Sequence, residues 1–377
     1  MKIGIVCYPT YGGSGVLATE LGMALSHKGH EVHFITSHQP VKLNFLNPNL
    51  HFHEVFMEDY PLFHYQPYEL ALSSKLVQVV EKYDLDILHV HYAIPHAYAA
   101  YMAKQMLKQK GIYIPIVTTL HGTDITLVGS HPVYKAAVEF SINNSDMVTT
   151  VSESLRSDTL RLFTIYNRIE VIYNFIDFDQ QKDWNDNDCL RDTLVKPEEK
   201  IITHVSNFRP VKRVLDVIKT FHKIQKKIPS KLLMVGDGPD REKADVLAKK
   251  LGIKDKIIFL GKSDEVRKIL CFTDLFLLPS ETESFGLAAL EAMAARTTVI
   301  SSNTGGLPEV NLQGKTGYLS NVGDVDDMAK NAIYILEDEQ RLEKFKDEAY
   351  TFAQKFSIEN ILPKYEKLYE MVRKNKN

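Results

Sequence analysis

Cysteine is scarce. The three residues, Cys7, Cys189 and Cys271, are odd in number and far apart, so neither a disulfide framework nor a CxxC metal or redox site can be assembled within one chain. That scarcity fits a reducing cytosol. An excess of charge of one sign is also missing. Lys and Arg number 45 against 48 Asp and Glu, a formal charge of −3, so no overall basic field exists to hold nucleic acid or an anionic membrane. No stretch approaches the ~18 consecutive apolar residues of a membrane-spanning helix. The N-terminus, Met1–Val6, runs straight into a strand-like run without an h-region or cleavage site. These absences predict a soluble, cytoplasmic protein with no nucleic-acid or membrane partner.

What is present is ordinary globular composition, 44% apolar and 25% charged over 377 residues, a length that suits about two to three domains. Short β-branched runs alternate with longer segments of 3.6-residue periodicity, the pattern of βαβ units and a parallel sheet covered by helices. In the first half the predicted strands are Lys2–Tyr8, Glu31–Ser37, His51–Met57, Asp86–Tyr92, Pro115–Leu120, Met147–Ser152 and Glu170–Tyr173. Helical stretches such as Val16–His27, Tyr68–Lys82 and Pro95–Lys110 lie between them. From Phe175 to Lys200 the pattern breaks into a stretch rich in Asp and Asn that holds the only tryptophan, Trp184. It reads as an interdomain connection. A second series follows, with strands Ile201–Ser206, Leu232–Gly236, Lys256–Leu260, Leu275–Pro279 and Thr298–Ser302. The fold class is therefore α/β, two doubly wound parallel-sheet domains at 1–174 and 200–357 joined by 175–199. In such sheets ligands sit beyond the carboxyl ends of the strands, so function is sought in those loops.

Gly12-Gly13-Ser14-Gly15 follows the first strand and precedes a helix, where backbone amides can approach an anion. The spacing is not that of the dinucleotide GxGxxG motif, and the second strand ends in Thr36-Ser37-His38 with no acidic residue for a ribose diol. A tight strand-to-helix turn explains it equally well. Glu283-Ser284-Phe285-Gly286-Leu287-Ala288-Ala289-Leu290-Glu291 leads from a strand into a helix expected to continue to about Ala295. With Glu291 two turns inside that helix, about 12 Å of axial rise separates the carboxylates, a span that suits two ends of one extended ligand. The amides of Ser284 to Leu287 then form a helix start suited to phosphate. An acidic helix start with one solvated Glu is the alternative.

The Glu-x7-Glu segment with Ser-Phe-Gly inside it, followed by Gly305-Gly306-Leu307-Pro308-Glu309, resembles the retaining glycosyltransferases of family 4 (GT4). So do Gly236-Asp237-Gly238-Pro239, His121-Gly122-Thr123-Asp124, Val151-Ser152-Glu153-Ser154 and Asn174-Phe175-Ile176-Asp177, all in family order. The resemblance covers nearly the whole chain. It implies the GT-B architecture, two Rossmann-like domains facing across a cleft, with a final helix at about 358–377 crossing back to the N-terminal domain. Its apolar side carries Ile361, Tyr365, Leu368, Tyr369 and Val372. Three segments are more particular: Cys7-Tyr8-Pro9, His89-Val90-His91-Tyr92-Ala93-Ile94-Pro95-His96-Ala97 and His204-Val205-Ser206-Asn207-Phe208-Arg209. They are similar to the branch that transfers N-acetylglucosamine from UDP-GlcNAc to L-malate in bacillithiol biosynthesis.

By that resemblance Lys212 neutralises pyrophosphate as UDP leaves. The family arginine five residues earlier is Asn207 here, and Arg209 stands in for the missing charge. Glu283 lies near the donor sugar's hydroxyls, Glu291 holds the ribose, and His121 contacts the donor sugar. Gly13, Asn207, Ser284, Phe285, Gly286 and Leu287 complete the donor set. Ser14, Tyr92, Thr119, Thr123 and Ser152 are the acceptor candidates, Tyr92 foremost. No cofactor and no catalytic metal are implied, and a homodimer is. His51-x-His53 and His89-x-His91 each place two imidazoles on one strand face, but no third ligand recurs beside them along the sequence. Three other readings remain: a GT4 enzyme with another acceptor such as inositol phosphate or a lipid-linked sugar, a UDP-sugar epimerase, or a nucleotide-binding module without turnover.

Overall fold

The computed structural model describes residues 1–10, 12–43, 46–57, 66–178, 191–263 and 265–374. Residues 179–190 of the predicted connection, with Trp184 and Cys189, lie outside the described residues. The chain divides into two compact units, Met1–Phe175 with Ile358–Asn377, and Ile176–Ser357. No helix among the described residues is long and apolar enough to cross a membrane.

The first unit holds β1 Lys2–Val6, β2 Glu31–Thr36, β3 Leu50–Glu54, β4 Ile87–His91, β5 Ile116–Leu120, β6 Met147–Thr150 and β7 Ile169–Val171. They form one sheet in the order β3-β2-β1-β4-β5-β6-β7, every pair parallel. Its central strands are covered on both faces, so β4 (ILHVH) and β5 (IVTTL) are buried at every position. The closing helix Ile358–Lys374 belongs to this unit and buries the stripe Ile361, Leu362, Tyr365, Leu368, Tyr369 and Val372. Tyr369 Oη reaches His89 Nδ1 in β4 at 2.7 Å.

The second unit repeats the plan with β8 Lys200–Val205, β9 Ser230–Val235, β10 Ile257–Gly261, β11 Leu275–Leu278, β12 Thr298–Ser302 and β13 Gly317–Ser320, in the order β10-β9-β8-β11-β12-β13. Strand β13 escapes sequence reading because GYLS offers four residues and no β-branched run. Helix Val214–Ile224 shows how the core forms: Val214, Val217, Ile218, Phe221 and Ile224 recur at helical spacing and are buried with Leu232, Met234 and Leu275.

In both sheets the strand order reverses once, between β1 and β4 and between β8 and β11. Loops leaving neighbouring strands there diverge and open a crevice at the carboxyl end. Residues more than 70 positions apart are brought together by that reversal.

Candidate active site

The crevice of the second unit is built by the loops after β8 and β11. His204, the fifth residue of β8, is buried, and burial lowers its imidazole to about 4, so it is neutral at pH 7. Its Nδ1–H donates to the Leu277 carbonyl at 2.8 Å, which leaves Nε2 to accept from Ser206 Oγ at 2.8 Å. Ser206 Oγ in turn accepts from the Phe208 amide at 3.3 Å. The Phe208 side chain is fully buried, and Pro210–Lys212 forms one 3-10 turn with Arg209 as its N-cap. Held this way, the loop turns Lys212 toward the loop after β11.

There Lys212 Nζ donates to Glu283 Oε1 at 2.5 Å, and Ser280 Oγ donates to the same oxygen at 2.8 Å. Glu283 is itself pinned by the glycine pair that follows β12. Gly306 N donates to the Glu283 carbonyl at 2.9 Å, and a Cβ on Gly305 would lie 1.9 Å from that oxygen. Gly305 also has φ +55°, so both contact and conformation require glycine. Arg209 and Asn207 are exposed on the first loop.

Helix Leu287–Ala294 starts later than expected. Gly286, at φ +99°, is its N-cap, so Ser284 and Phe285 precede the helix and its first-turn amides begin at Leu287. Glu291 is the fifth helical residue, just over one turn in rather than two, because the left-handed Gly286 ends the preceding loop where a right-handed turn was expected. The Phe285 side chain is buried against Phe356, with ring centroids 5.7 Å apart. It anchors the loop, and only its backbone is available to a donor.

In the first unit the helix Gly13–His27 begins inside the Gly-rich loop, with Gly12 extended as N-cap. Ser14 Oγ and Tyr92 Oη lie 2.5 Å apart, which ties the loop after β1 to the loop after β4. Tyr92 has φ +82°, a strained backbone for an aromatic residue and one that usually marks a functional position. His91 Nδ1 meets His121 Nε2 at 2.8 Å, and the Tyr92 ring lies 5.0 Å from the His121 ring. Burial lowers His121 to about 3, so at neutral pH it carries no charge. His91 Nε2 is buried and has no protein partner among the described residues.

Asp124 is the residue that the sequence reading passed over. It is buried, and its carboxylate accepts from the amides of Ala93, Gly122 and His121 at 2.9, 3.0 and 3.2 Å. Burial raises its pKa, and the amide hydrogen bonds offset only part of that rise. One carboxylate thereby fixes the loops after β4 and β5 together. The signal was present in His121-Gly122-Thr123-Asp124, but a short acid after a strand also reads as an ordinary turn residue.

Thr119 and Ser152 do not join the site. Thr119 is buried inside β5, a strand covered on both faces, with Oγ1 bonded to His89 Nε2 and Thr149 Oγ1 at 2.8 and 2.7 Å. Ser152 is buried as the N-cap of helix Glu153–Leu162, where Oγ accepts from Leu155 N at 3.0 Å. Thr123 is exposed and lines a cavity of about 680 Å³ with Tyr8, Tyr92, Tyr98, Tyr134 and Glu69.

The model of the glycosyl transferases group 1 matches residues 187–352, and that of glycosyltransferase family 4 matches residues 11–180. Among curated proteins the chain is 48% identical to the N-acetyl-alpha-D-glucosaminyl L-malate synthase of Bacillus anthracis, over 100% of this chain and 99% of that one. An uncharacterized glycosyltransferase of Methanocaldococcus jannaschii is 30% identical over 82% of both chains. Among solved structures, Anabaena HepE in complex with UDP and glucose superposes with a TM-score of 0.81 at 19% identity, over 98% of this chain and all (100%) of that one. The sucrose-phosphate synthase of Thermosynechococcus elongatus gives 0.80 at 20% identity, over 99% of both chains. Two Rossmann-like parallel sheets, family models matched to each half and a full-length relative make the assignment: the chain belongs to glycosyltransferase family 4 and is a glycosyltransferase.

Proposed function

We propose that the protein transfers N-acetylglucosamine from UDP-GlcNAc to the hydroxyl of L-malate with retention at the anomeric carbon, in the cytoplasm and as a homodimer. The observation that carries this reading is the 48% identity along the full length of a relative named for the same product.

In this reading the second unit takes the donor. Lys212 and Arg209 face the diphosphate, Asn207 and the backbone of Ser284 to Leu287 line it, and Glu291 holds the ribose diol. Glu283 orients the sugar through its hydroxyls while its ion pair aims the Lys212 ammonium. The first unit contributes Gly13 and His121 to the donor side. It offers the amides of the Gly-rich loop, Ser14, Tyr92 and Thr123 to the acceptor. A dicarboxylate needs several donors, and helix Gly13–His27 presents its N-terminus at that loop.

The chemistry is a front-face displacement. As the bond between the anomeric carbon and the β-phosphate oxygen breaks, that oxygen takes the malate hydroxyl proton, and the new bond forms on the same face. The protein positions the partners and stabilises the negative charge growing on UDP, work suited to Lys212, Arg209 and helix-start amides. Glu283 and Glu291 are not a hydrolase pair in this scheme, since Glu283 is held in an ion pair with Lys212. The alternative of a GT4 enzyme with another acceptor is favoured by one observation: among the described residues the cavity beside Tyr92 is lined by four tyrosines, Glu69 and Asp124, and by no Lys or Arg.

The test is UDP release from UDP-GlcNAc in EDTA, with and without L-malate, with product mass by spectrometry. Release that depends on malate, with the mass of the condensed product, is expected. Release without malate accompanied by UDP-ManNAc would identify an epimerase, and no release with malate would transfer the question to other acceptors.

A further inference from the structure

The parallel register of β2 and β3 brings together side chains that the sequence separates. His33 pairs with His51, and Ile35 with His53, so Glu31, His33, His51 and His53 share one sheet face. His33 Nε2 lies 3.1 Å from Glu31 Oε1, and His51 Nε2 lies 3.4 Å from the same oxygen. One ligand atom from each of Glu31, His33 and His51 falls within a span of 4.8 Å. A tetrahedral ion with bonds of about 2.0–2.1 Å has edges of about 3.3 Å between its ligand atoms, so two edges of such a polyhedron are already present.

We infer that Glu31, His33 and His51 form a binding site for a divalent transition-metal ion of the zinc class, at the edge of the first sheet. Two imidazoles and one carboxylate are a donor set of borderline softness, which suits zinc over calcium or magnesium. His53 supplies the outer support. Its Nε2 lies 2.9 Å from His33 Nδ1, so with metal on Nε2 the remaining His33 proton sits on Nδ1 and donates to His53. Tyr83 closes the inner side, its ring centroid 4.7 Å from that of His33 and 4.9 Å from that of His53. Lys2 Nζ is turned away to the Tyr83 carbonyl at 2.8 Å. His51 and Glu31 are each about one-third exposed, which gives the ion an entry and leaves room for water as a fourth ligand.

The cluster sits at the starts of β2 and β3, the opposite end of the sheet from the loops after β1, β4 and β5. Its role is therefore separate from transfer: the ion staples the edge strand β3 to β2. The inference stands apart from the choice of donor and acceptor.

The experiment is calorimetric titration of Zn²⁺ into untagged, EDTA-treated full-length protein, with Co²⁺ absorption as a geometric probe. A single saturable site with tetrahedral cobalt bands is expected, together with a higher melting temperature in Zn²⁺. His51→Ala and Glu31→Gln should each weaken binding at least about tenfold, and His53→Ala by about 10-fold or more as an outer partner. His131→Ala should change nothing. Because His33 is fully buried, its variant is not relied upon; His51 and Glu31 are partly exposed, and circular dichroism checks their folding. Absence of saturable Zn²⁺ uptake, or unchanged affinity in folded His51→Ala and Glu31→Gln, would overturn the site.

Discussion

Lys212→Ala separates what Lys212 does for the fold from what it does for the reaction. Its Nζ is 2.5 Å from Glu283 Oε1, and the side chains are 22% and 13% exposed, so the pair is mostly withdrawn from water. Truncation leaves Glu283 with the Ser280 hydroxyl on the same oxygen, at 2.8 Å. A partly buried carboxylate deprived of its cation costs about 1–3 kcal/mol. In a unit of this size that lowers the melting temperature by roughly 2–12 °C. In the role proposed for Lys212 turnover should suffer more, because a preorganised cation facing a departing diphosphate contributes about 10²–10³ in rate, or about 2.7–4 kcal/mol. The double variant Lys212→Ala/Glu283→Gln distinguishes the two effects. Removing the stranded charge should restore part of the stability and none of the turnover. The assay is UDP release at saturating UDP-GlcNAc and L-malate beside thermal unfolding. Turnover by Lys212→Ala within about threefold of the parent would refute the assigned role.

Acid should unfold the first unit early. Burial lowers His89, His96 and His121 to about 3, 4 and 3, whereas an unfolded imidazole titrates near pH 6.5. The unfolded chain then binds more protons between these values, so stability is fully present above about pH 6.5 and falls with pH below it, by ~1.4 kcal/mol per pH unit for each ring. Urea unfolding between pH 7.5 and 5.5 checks this, and a flat profile would contradict it. Tyr369→Phe removes the hydroxyl 2.7 Å from His89 Nδ1 and strands a buried ring nitrogen, an expected loss of about 1–3 kcal/mol in urea titration. An unchanged midpoint would show that the contact contributes nothing. Ser152→Ala should cost about 1 kcal/mol through its cap on Leu155 and leave the acceptor KM untouched. Ser14→Ala should raise that KM, and the reverse pattern would return Ser152 to the acceptor set.

Much of this architecture is legible in one dimension because its causes are local. Apolar runs such as Ile3–Val6 and Leu275–Leu278 end in loops of small or polar residues, and parallel strands buried on both faces need nothing else to be recognised. The stripe Ile361, Tyr365, Leu368, Tyr369 and Val372 likewise announces one buried helix face. Where local cues were thin the reading slipped. Strand β13 is too short to declare itself, and the left-handed Gly286 delays a helix whose composition suited an earlier start.

The candidate site divides along the same line. Sequence alone supplied the motif order of a family 4 glycosyltransferase and, as candidates, Lys212, Glu283, Glu291, His121 and the Gly-rich loop. Pairing lay beyond it, since a motif states which groups exist and not which ones touch. Only the strand order, with β8 beside β11, decided that Lys212 and Glu283 meet across 71 residues. The same tertiary logic turned Thr119 and Ser152 inward, made Asp124 the bolt between two loops, and set Glu31 and His33 against His51. Side-chain chemistry is written in the chain, but proximity is a property of the sheet, because hydrogen-bonded strands become neighbours regardless of their separation in sequence.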